Sequence, residues 1–358
     1  MKTVRKNLHR LYVLFLSVVM LYSCSKEDAP QPVVKPTTGL YVLCEGTPDA
    51  NNSKLGFYDF STGTYSGDFY STTNQTVLGS IANNAVIYGA KIYIAVDNSG
   101  IVNVLNAGDG KLIKSISFKD ESGASKGPRR TVPFNGKIYV PTIWGKSLEV
   151  IDTSSLEVTQ SFSLRSSAED VAFYNDQAFV VLQGNYKSGY DSTIAVLNAA
   201  TGTEVKKINV GVNPGRVCID NQGNLFIPVI GDYDKVQPFL AKVDANGTLV
   251  KKVDGSFDKM AFYNNQLYIL SGYNGFTGVR IYDPQTMNLI QDNFIKDGTT
   301  IKIPYGISID ELNGDVYVTD AIDYTESGKV FAFDKSGKLR FSFTTTGGIG
   351  PNTVLFKR

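Results

Sequence analysis

The chain has 358 residues, with 35 Lys+Arg set against 34 Asp+Glu and a single histidine, His9. So even a balance leaves no basic footprint for nucleic acid. With no imidazole beyond residue 9, Ser-His-Asp triads, histidine metal sites and the commonest general base are excluded from the rest of the chain.

Lys2, Arg5, Lys6 and Arg10 form a basic leader, and no acidic residue precedes Glu27. Leu11 to Leu21 carries no charge, and Ser23-Cys24 follows. A core this short reads as a secretory signal, because a membrane span needs about 20 apolar residues. Leu21-Tyr22-Ser23-Cys24 resembles the lipobox of bacterial lipoproteins, which implies removal of residues 1–23 and lipid attached to Cys24. Ser25-Lys26-Glu27-Asp28 is similar to the acidic surface-export signal of Bacteroides-type lipoproteins, implying an outer-membrane anchor facing the cell exterior. Residues 24–38, with Pro30, Pro32 and Pro36, read as an extended tether between lipid and domain. Loss of the four leader bases leaves 31 Lys+Arg against 34 Asp+Glu.

From residue 39 onward, a short apolar strand with a central aromatic recurs. It appears as Leu40-Tyr41-Val42, Ile92-Tyr93-Ile94, Ile138-Tyr139-Val140, Ala178-Phe179-Val180, Leu225-Phe226-Ile227, Leu267-Tyr268-Ile269 and Val316-Tyr317-Val318. Tyr41 to Tyr317 spans 276 residues in six steps, a mean period of 46. A second marker runs in phase, an apolar run closing on Asp59, Asn106, Asp152, Asn198, Asp244, Asp283 or Asp334. Asx side chains suit tight corners because they bond to backbone two residues on. Each unit reads as four strands, and no stretch shows sustained helical periodicity. Four-stranded units at this period predict an all-β fold, a seven-bladed β-propeller over residues 39–358. The first unit lacks a first strand, while Pro351-Asn352-Thr353-Val354-Leu355-Phe356 is an orphan one, so the C-terminal strand is expected to complete blade one. Residues 71–83 are left as an insertion or link between blades one and two. Cys44 and Cys218 fall in non-adjacent blades and are expected to be buried thiols without a disulfide.

Chain direction places the turns joining strands one to two and three to four on one face of the ring. The loops joining strands two to three, and the links between blades, lie on the other. That second set is long and aromatic: residues 45–54, Trp144 with Gly145-Lys146, Tyr186 and Tyr190 in 184–192, Tyr233 in 231–237, Tyr273 and Phe276 in 272–278, and Tyr324 in 320–327. These rings either cover the apolar blade ends or form a binding face. The starts of the first strands, Asn84, Arg130, Asp170, Arg216, Lys259, Tyr305 and Asn352, form a mixed polar ring at the tunnel mouth, either solvating it or touching ligand. Arg130 and Arg216 are its candidate ligand contacts. Asp310, Asp315, Asp320 and Asp323 crowd blade seven, but their spacing does not match a calcium loop, and no metal is expected.

Glu45-Gly46 followed by Asn51-Asn52-Ser53, Pro304-Tyr305-Gly306-Ile307 running into residues 314–321, and the stretch 331–338 together resemble the YncE-like propeller lipoproteins of Bacteroides-type bacteria. These include the BtuG-type surface lipoproteins, which capture cobalamin. That resemblance implies a binding protein and not an enzyme. It implies no cofactor, a small ligand such as cobalamin or a related corrinoid, and a TonB-dependent outer-membrane transporter as partner. A glycan or other nutrient, a propeller hydrolase or lyase, and a protein-interaction scaffold remain the alternatives.

Overall fold

In this computed structural model, residues 35–271 and 277–358 are described. They form seven four-stranded antiparallel sheets. The first strands, which stand innermost, are Pro351–Lys357, Ala82–Tyr88, Val132–Phe134, Ala168–Tyr174, Cys218–Ile219, Met260–Tyr263 and Pro304–Ile309. Each touches the first strand of the next blade, and the circle closes where Pro304–Ile309 meets Pro351–Lys357. The fold is a seven-bladed β-propeller.

The period of 46 has a packing cause. The seven central aromatics are buried: Tyr41, Tyr93 and Phe226 are fully so, and the most exposed, Tyr268, reaches only 5%. Each sits in a different one of seven apolar clusters, and each cluster fills one wedge between adjacent blades. Burying so large a side chain in every wedge is the main favourable term holding blades together. The tyrosine hydroxyl also needs a partner there. Tyr41 Oη donates to Ala107 O at 2.8 Å and Tyr139 Oη to Ala199 O at 2.9 Å, in each case the carbonyl just after the next blade's Asn marker.

All seven Asx markers act as the sequence suggests, accepting backbone N–H groups of their own turn. Examples are Ser61 N to Asp59 Oδ1 at 2.7 Å and Gly108 N to Asn106 Oδ1 at 2.7 Å. The same arrangement holds at Asp152, Asn198, Asp244, Asp283 and Asp334.

The orphan strand pairs antiparallel with Gly39–Cys44 from Gly39↔Lys357 to Cys44↔Pro351, completing blade one. Gly306 makes this closure close-fitting: a Cβ there would lie 2.5 Å from Asn352 O, so a side chain would push the last blade off the C-terminal strand. Both thiols are unpaired, with Cys44 in blade one and Cys218 in blade five. Burial pushes each up to about 12, so neither is a thiolate at neutral pH.

One local reading gains detail and another needs correction. The link between blades one and two contains a helix, Phe69–Asn74, whose six residues are too few to leave a period in the sequence. Phe69 packs 5.6 Å from Tyr41 and 5.4 Å from Phe57, and Asn74 joins the next blade through Gly110 O and Leu112 N. Residues 184–192 are mostly strand and not loop. Gln177–Asn185 and Gly189–Asn198 run on as a long hairpin, so Tyr190 is a strand residue and Tyr186 sits at the tip.

Candidate functional site

On the loop-bearing face, solvent meets an unusual share of aromatic surface. Six aromatic side chains are exposed among the described residues, and five of them belong to this rim: Trp144, Tyr186, Tyr190, Tyr233 and Tyr324. The sixth, Phe60, follows the Asp59 turn on the opposite face. The exposed residues on outer strands, such as Ile113, Val205 and Leu289, are aliphatic and scattered, which is ordinary for a propeller edge. Aromatics concentrated on one face therefore need their own explanation.

Neighbouring loops bring these rings together. Trp144 of blade three stands edge-on to Tyr186 of blade four, 6.4 Å between centroids, and Lys187 Nζ lies 5.0 Å from the Trp144 ring and 5.7 Å from that of Tyr186. Tyr190 of blade four lies 6.1 Å from Tyr233 of blade five. Tyr324 meets Tyr305 edge-on at 5.2 Å. Tyr273 and Phe276 fall outside the described residues, as does Cys24.

Two of the rim tyrosines carry backbone strain. Tyr233 has φ 63° and Tyr324 φ 62°, a left-handed conformation that is uncommon for a bulky residue. Each follows an aspartate that organises the turn. Asp232 Oδ1 accepts from the backbone N of Asp234, Lys235 and Val236, and Asp323 Oδ1 from those of Thr325 and Glu326. These turn bonds hold Asp232 and Asp323 below the usual carboxylate range. At 75% exposure Tyr233 gains little burial to offset its strain. A glycine would sit there more comfortably for stability alone.

At the tunnel mouth the seven ring residues divide by task. Asn84, Asp170 and Asn352 fasten adjacent blades. Asn84 Oδ1 accepts Thr131 N at 3.0 Å, Asp170 Oδ2 accepts Val217 N at 3.0 Å, and Asn352 Nδ2 donates to Ala82 O at 2.9 Å. Tyr305 donates its hydroxyl to Glu45 Oε2, which ties the ring to the first loop. The remaining three, Arg130, Arg216 and Lys259, line a cavity of about 600 Å³ that runs down the tunnel. Behind them lies a charged cluster the sequence reading missed. Arg129 grips Glu169 with two bonds, at 2.7 and 3.1 Å, and Asp97 with one at 2.7 Å. Burial disfavours the charge on Arg129, but Glu169 and then Asp97 outweigh it and hold the guanidinium above its ordinary value. Burial likewise works against the Glu169 carboxylate, and Arg129 overcomes it, so that group stays below its usual range.

The blade-seven aspartates are engaged in structural bonds. Asp310 accepts from Arg358 at 2.9 Å and Thr37 at 2.6 Å, Asp315 pairs with Arg340, and Asp320 accepts the backbone N of Lys302 and Ile303, both at 2.8 Å. Among the described residues no group of three or more His, Cys, Asp and Glu is placed to hold a metal ion. No helix among them is long and apolar enough to cross a membrane.

Fold and rim together define a seven-bladed β-propeller with an aromatic, loop-built face. The chain belongs to the family described as "Domain of unknown function (DUF5074)", whose model matches residues 38–319. No curated protein matches the sequence. Among solved structures it is similar to a quinonprotein alcohol dehydrogenase-like protein from Bacteroides thetaiotaomicron. The identity is 17% and the TM-score 0.62, covering 90% of this chain and 79% of that one. It is also similar to a protein of unknown function from Bacteroides caccae, with 14% identity and TM-score 0.51 over 74% and 98% of the two chains. A third likeness is to the hydrazine synthase of Kuenenia stuttgartiensis, with 13% identity and TM-score 0.58 over 71% and 76%. Identities this low speak for the fold alone.

Proposed function

We propose that this chain is a lipid-anchored surface protein that binds a ligand on its aromatic rim and hands it to an outer-membrane transporter. The reading is supported above all by one observation: exposed aromatics are gathered on the loop face, with Tyr233 and Tyr324 held there at positive φ. Tyrosine and tryptophan give large contact area and one polar handle each, at low entropic cost. A corrinoid suits such a surface, being a broad disc edged with amides that the ring faces of Trp144, Tyr186, Tyr190 and Tyr233 and the tyrosine hydroxyls can meet. The lack of histidine after His9 leaves recognition to shape and amide hydrogen bonds and favours a binder over an enzyme.

Cyanocobalamin titration tests this, run beside a panel of oligosaccharides. Trp144→Ala and Tyr233→Gly should each weaken binding by about 2 kcal/mol or more, roughly thirtyfold. Tyr233→Gly should leave the melting temperature unchanged or slightly higher, because glycine relieves the left-handed strain. The cobalamin absorption spectrum should barely change, since no imidazole is present to displace its lower axial base. Binding of an oligosaccharide with no binding of any corrinoid would replace the ligand and keep the face. A Tyr233→Gly protein that binds normally would remove the face.

The anchor is tested separately. Cys24→Ala should abolish lipid labelling and release the protein from the membrane fraction, and protease added to intact cells should digest the wild-type domain. A Cys24→Ala protein that stays in the membrane fraction would refute the anchor, and full protection from protease would place the domain inside the outer membrane.

A further inference from the structure

We propose that the central tunnel is a second binding site, independent of the rim, that takes a small organic anion head-first. Its oxyanion head would lie among Arg130, Arg216 and Lys259, with an uncharged body in the shaft below.

The wall of the cavity carries the argument. Among the described residues four charged ones line it, three cations and Asp170. Asp170 pairs with Arg130 at 3.1 Å, and each of its oxygens also accepts a backbone N–H, from Val171 at 2.8 Å and Val217 at 3.0 Å, so one carboxylate faces three cations. Arg130 Nε is buried 3.1 Å from Asp170 Oδ1, but with no hydrogen-bond partner among the described residues. Arg216 reaches Asn83 O at a long 3.4 Å and comes no nearer than 4.0 Å to Glu169, whose oxygens Arg129 holds. Lys259 Nζ donates to one carbonyl, Tyr305 O, and lies 4.0 Å over the Tyr305 ring, leaving donor capacity on the ammonium. Three cations facing a single lining carboxylate at one cavity mouth leave net positive charge there, an oxyanion cradle.

Below the ring the lining changes character. Moving down the inner strands, Val132, Ala172, Cys218, Ala261 and Val354 share the wall with Ser308 and Thr353, and among the described residues no charged one lines the cavity beyond the ring. The Cys218 thiol is protonated and adds no charge. A volume of about 600 Å³ is within the range of small-molecule pockets. One charged end and an uncharged shaft select a ligand with one anionic head.

Lys259 makes the site sensitive to pH. Burial, then Arg216, pushes its ammonium down to about 7, against smaller opposing effects of Asp258 and Glu45, while Arg130 adds to the repulsion. An oxyanion supplies the missing negative charge and so binds best when Lys259 is protonated.

Calorimetric titration with octanoate, octyl phosphate, acetate, inorganic phosphate and octanol separates the contributions. Octanoate or octyl phosphate should saturate the protein, with acetate, inorganic phosphate and octanol each at least tenfold weaker; the better of the first two identifies the head group. Octanoate is ionised across the neutral range, so its affinity on the unaltered protein should fall several-fold between about pH 6 and pH 8.5 as Lys259 loses its proton. Lys259→Met should flatten that profile and Arg216→Gln should weaken binding about tenfold, while Tyr233→Gly leaves it unchanged. Octanol binding as well as octanoate, a flat pH profile in the unaltered protein, or no saturation by either amphiphile below about 10 mM, roughly 2.7 kcal/mol, would each overturn the proposal.

Discussion

Deleting residues 351–358 is expected to leave no folded propeller at all. The lost strand supplies the inner strand of blade one, with Val354 buried and Leu355 and Phe356 packed into neighbouring wedges. Each such side chain contributes about 1.5–3 kcal/mol when fully buried. Ladder bonds to Gly39–Cys44 go with them, as do the bonds from Asn352 to Ala82 O, from Thr319 to Pro351 O and from Arg358 to Asp310. Domains are stable by only about 5–15 kcal/mol. The strand left behind, Gly39–Cys44, is buried at every residue and would become an open apolar edge, a template for aggregation. Circular dichroism and size exclusion should show an unfolded or aggregated chain. Because Lys357 pairs with Gly39, the strand Pro351–Lys357 placed ahead of Gly39 through a two-residue Asn-Gly turn should restore folding. A truncated chain that melts like the full one would mean that the C-terminal strand is a dispensable tail.

Replacing Arg129 should be the most damaging single substitution at the tunnel mouth. In Arg129→Met the carboxylates of Asp97 and Glu169, both at most 5% exposed, lose the cation that holds them. Removing one partner of a buried ion pair typically costs about 3–5 kcal/mol, because the remaining charge stays desolvated. For a domain of this size that lowers Tm by on the order of 10 °C. The sign of the pH effect gives a second check. Glu169 is held below its usual range in the native protein, so its contribution is present above the unfolded carboxylate pKa and is lost as pH falls through the native one. The gap between native and Arg129→Met stabilities should therefore be widest at neutral pH and shrink in acid. A gap that does not change between about pH 7 and pH 4 would mean lost packing and not lost charge. An unchanged Tm would mean that water solvates these carboxylates.

These residues also mark how far the chain could be read in advance. The blade count was legible because its causes are local and repeated. A wedge needs an aromatic such as Tyr41 or Tyr317, and a corner needs an Asx such as Asp59 or Asn198 to hold its turn. Both leave a residue type at a fixed interval. Ring closure was legible too, since a first strand was missing at one end and left over at the other. Membership of the rim followed from chain direction, which put Trp144, Tyr186, Tyr190, Tyr233 and Tyr324 on one face. What the sequence could not supply was who meets whom. Arg129 and Arg130 are neighbours in the chain, yet one is locked between Asp97 and Glu169, 32 and 40 residues away, while the other lines the tunnel. Alternation along a strand turns adjacent side chains to opposite sides, and the curvature of the whole ring decides what each side faces. The same holds for Asn84, Asp170 and Asn352, polar residues of the ring that turn out to fasten blades together. Period, corners and closure are short-range or end-to-end features written in single residues. The charge of the tunnel depends on three cations from three blades and on the burial of Asp170 beside them, an arrangement that exists once the ring has closed.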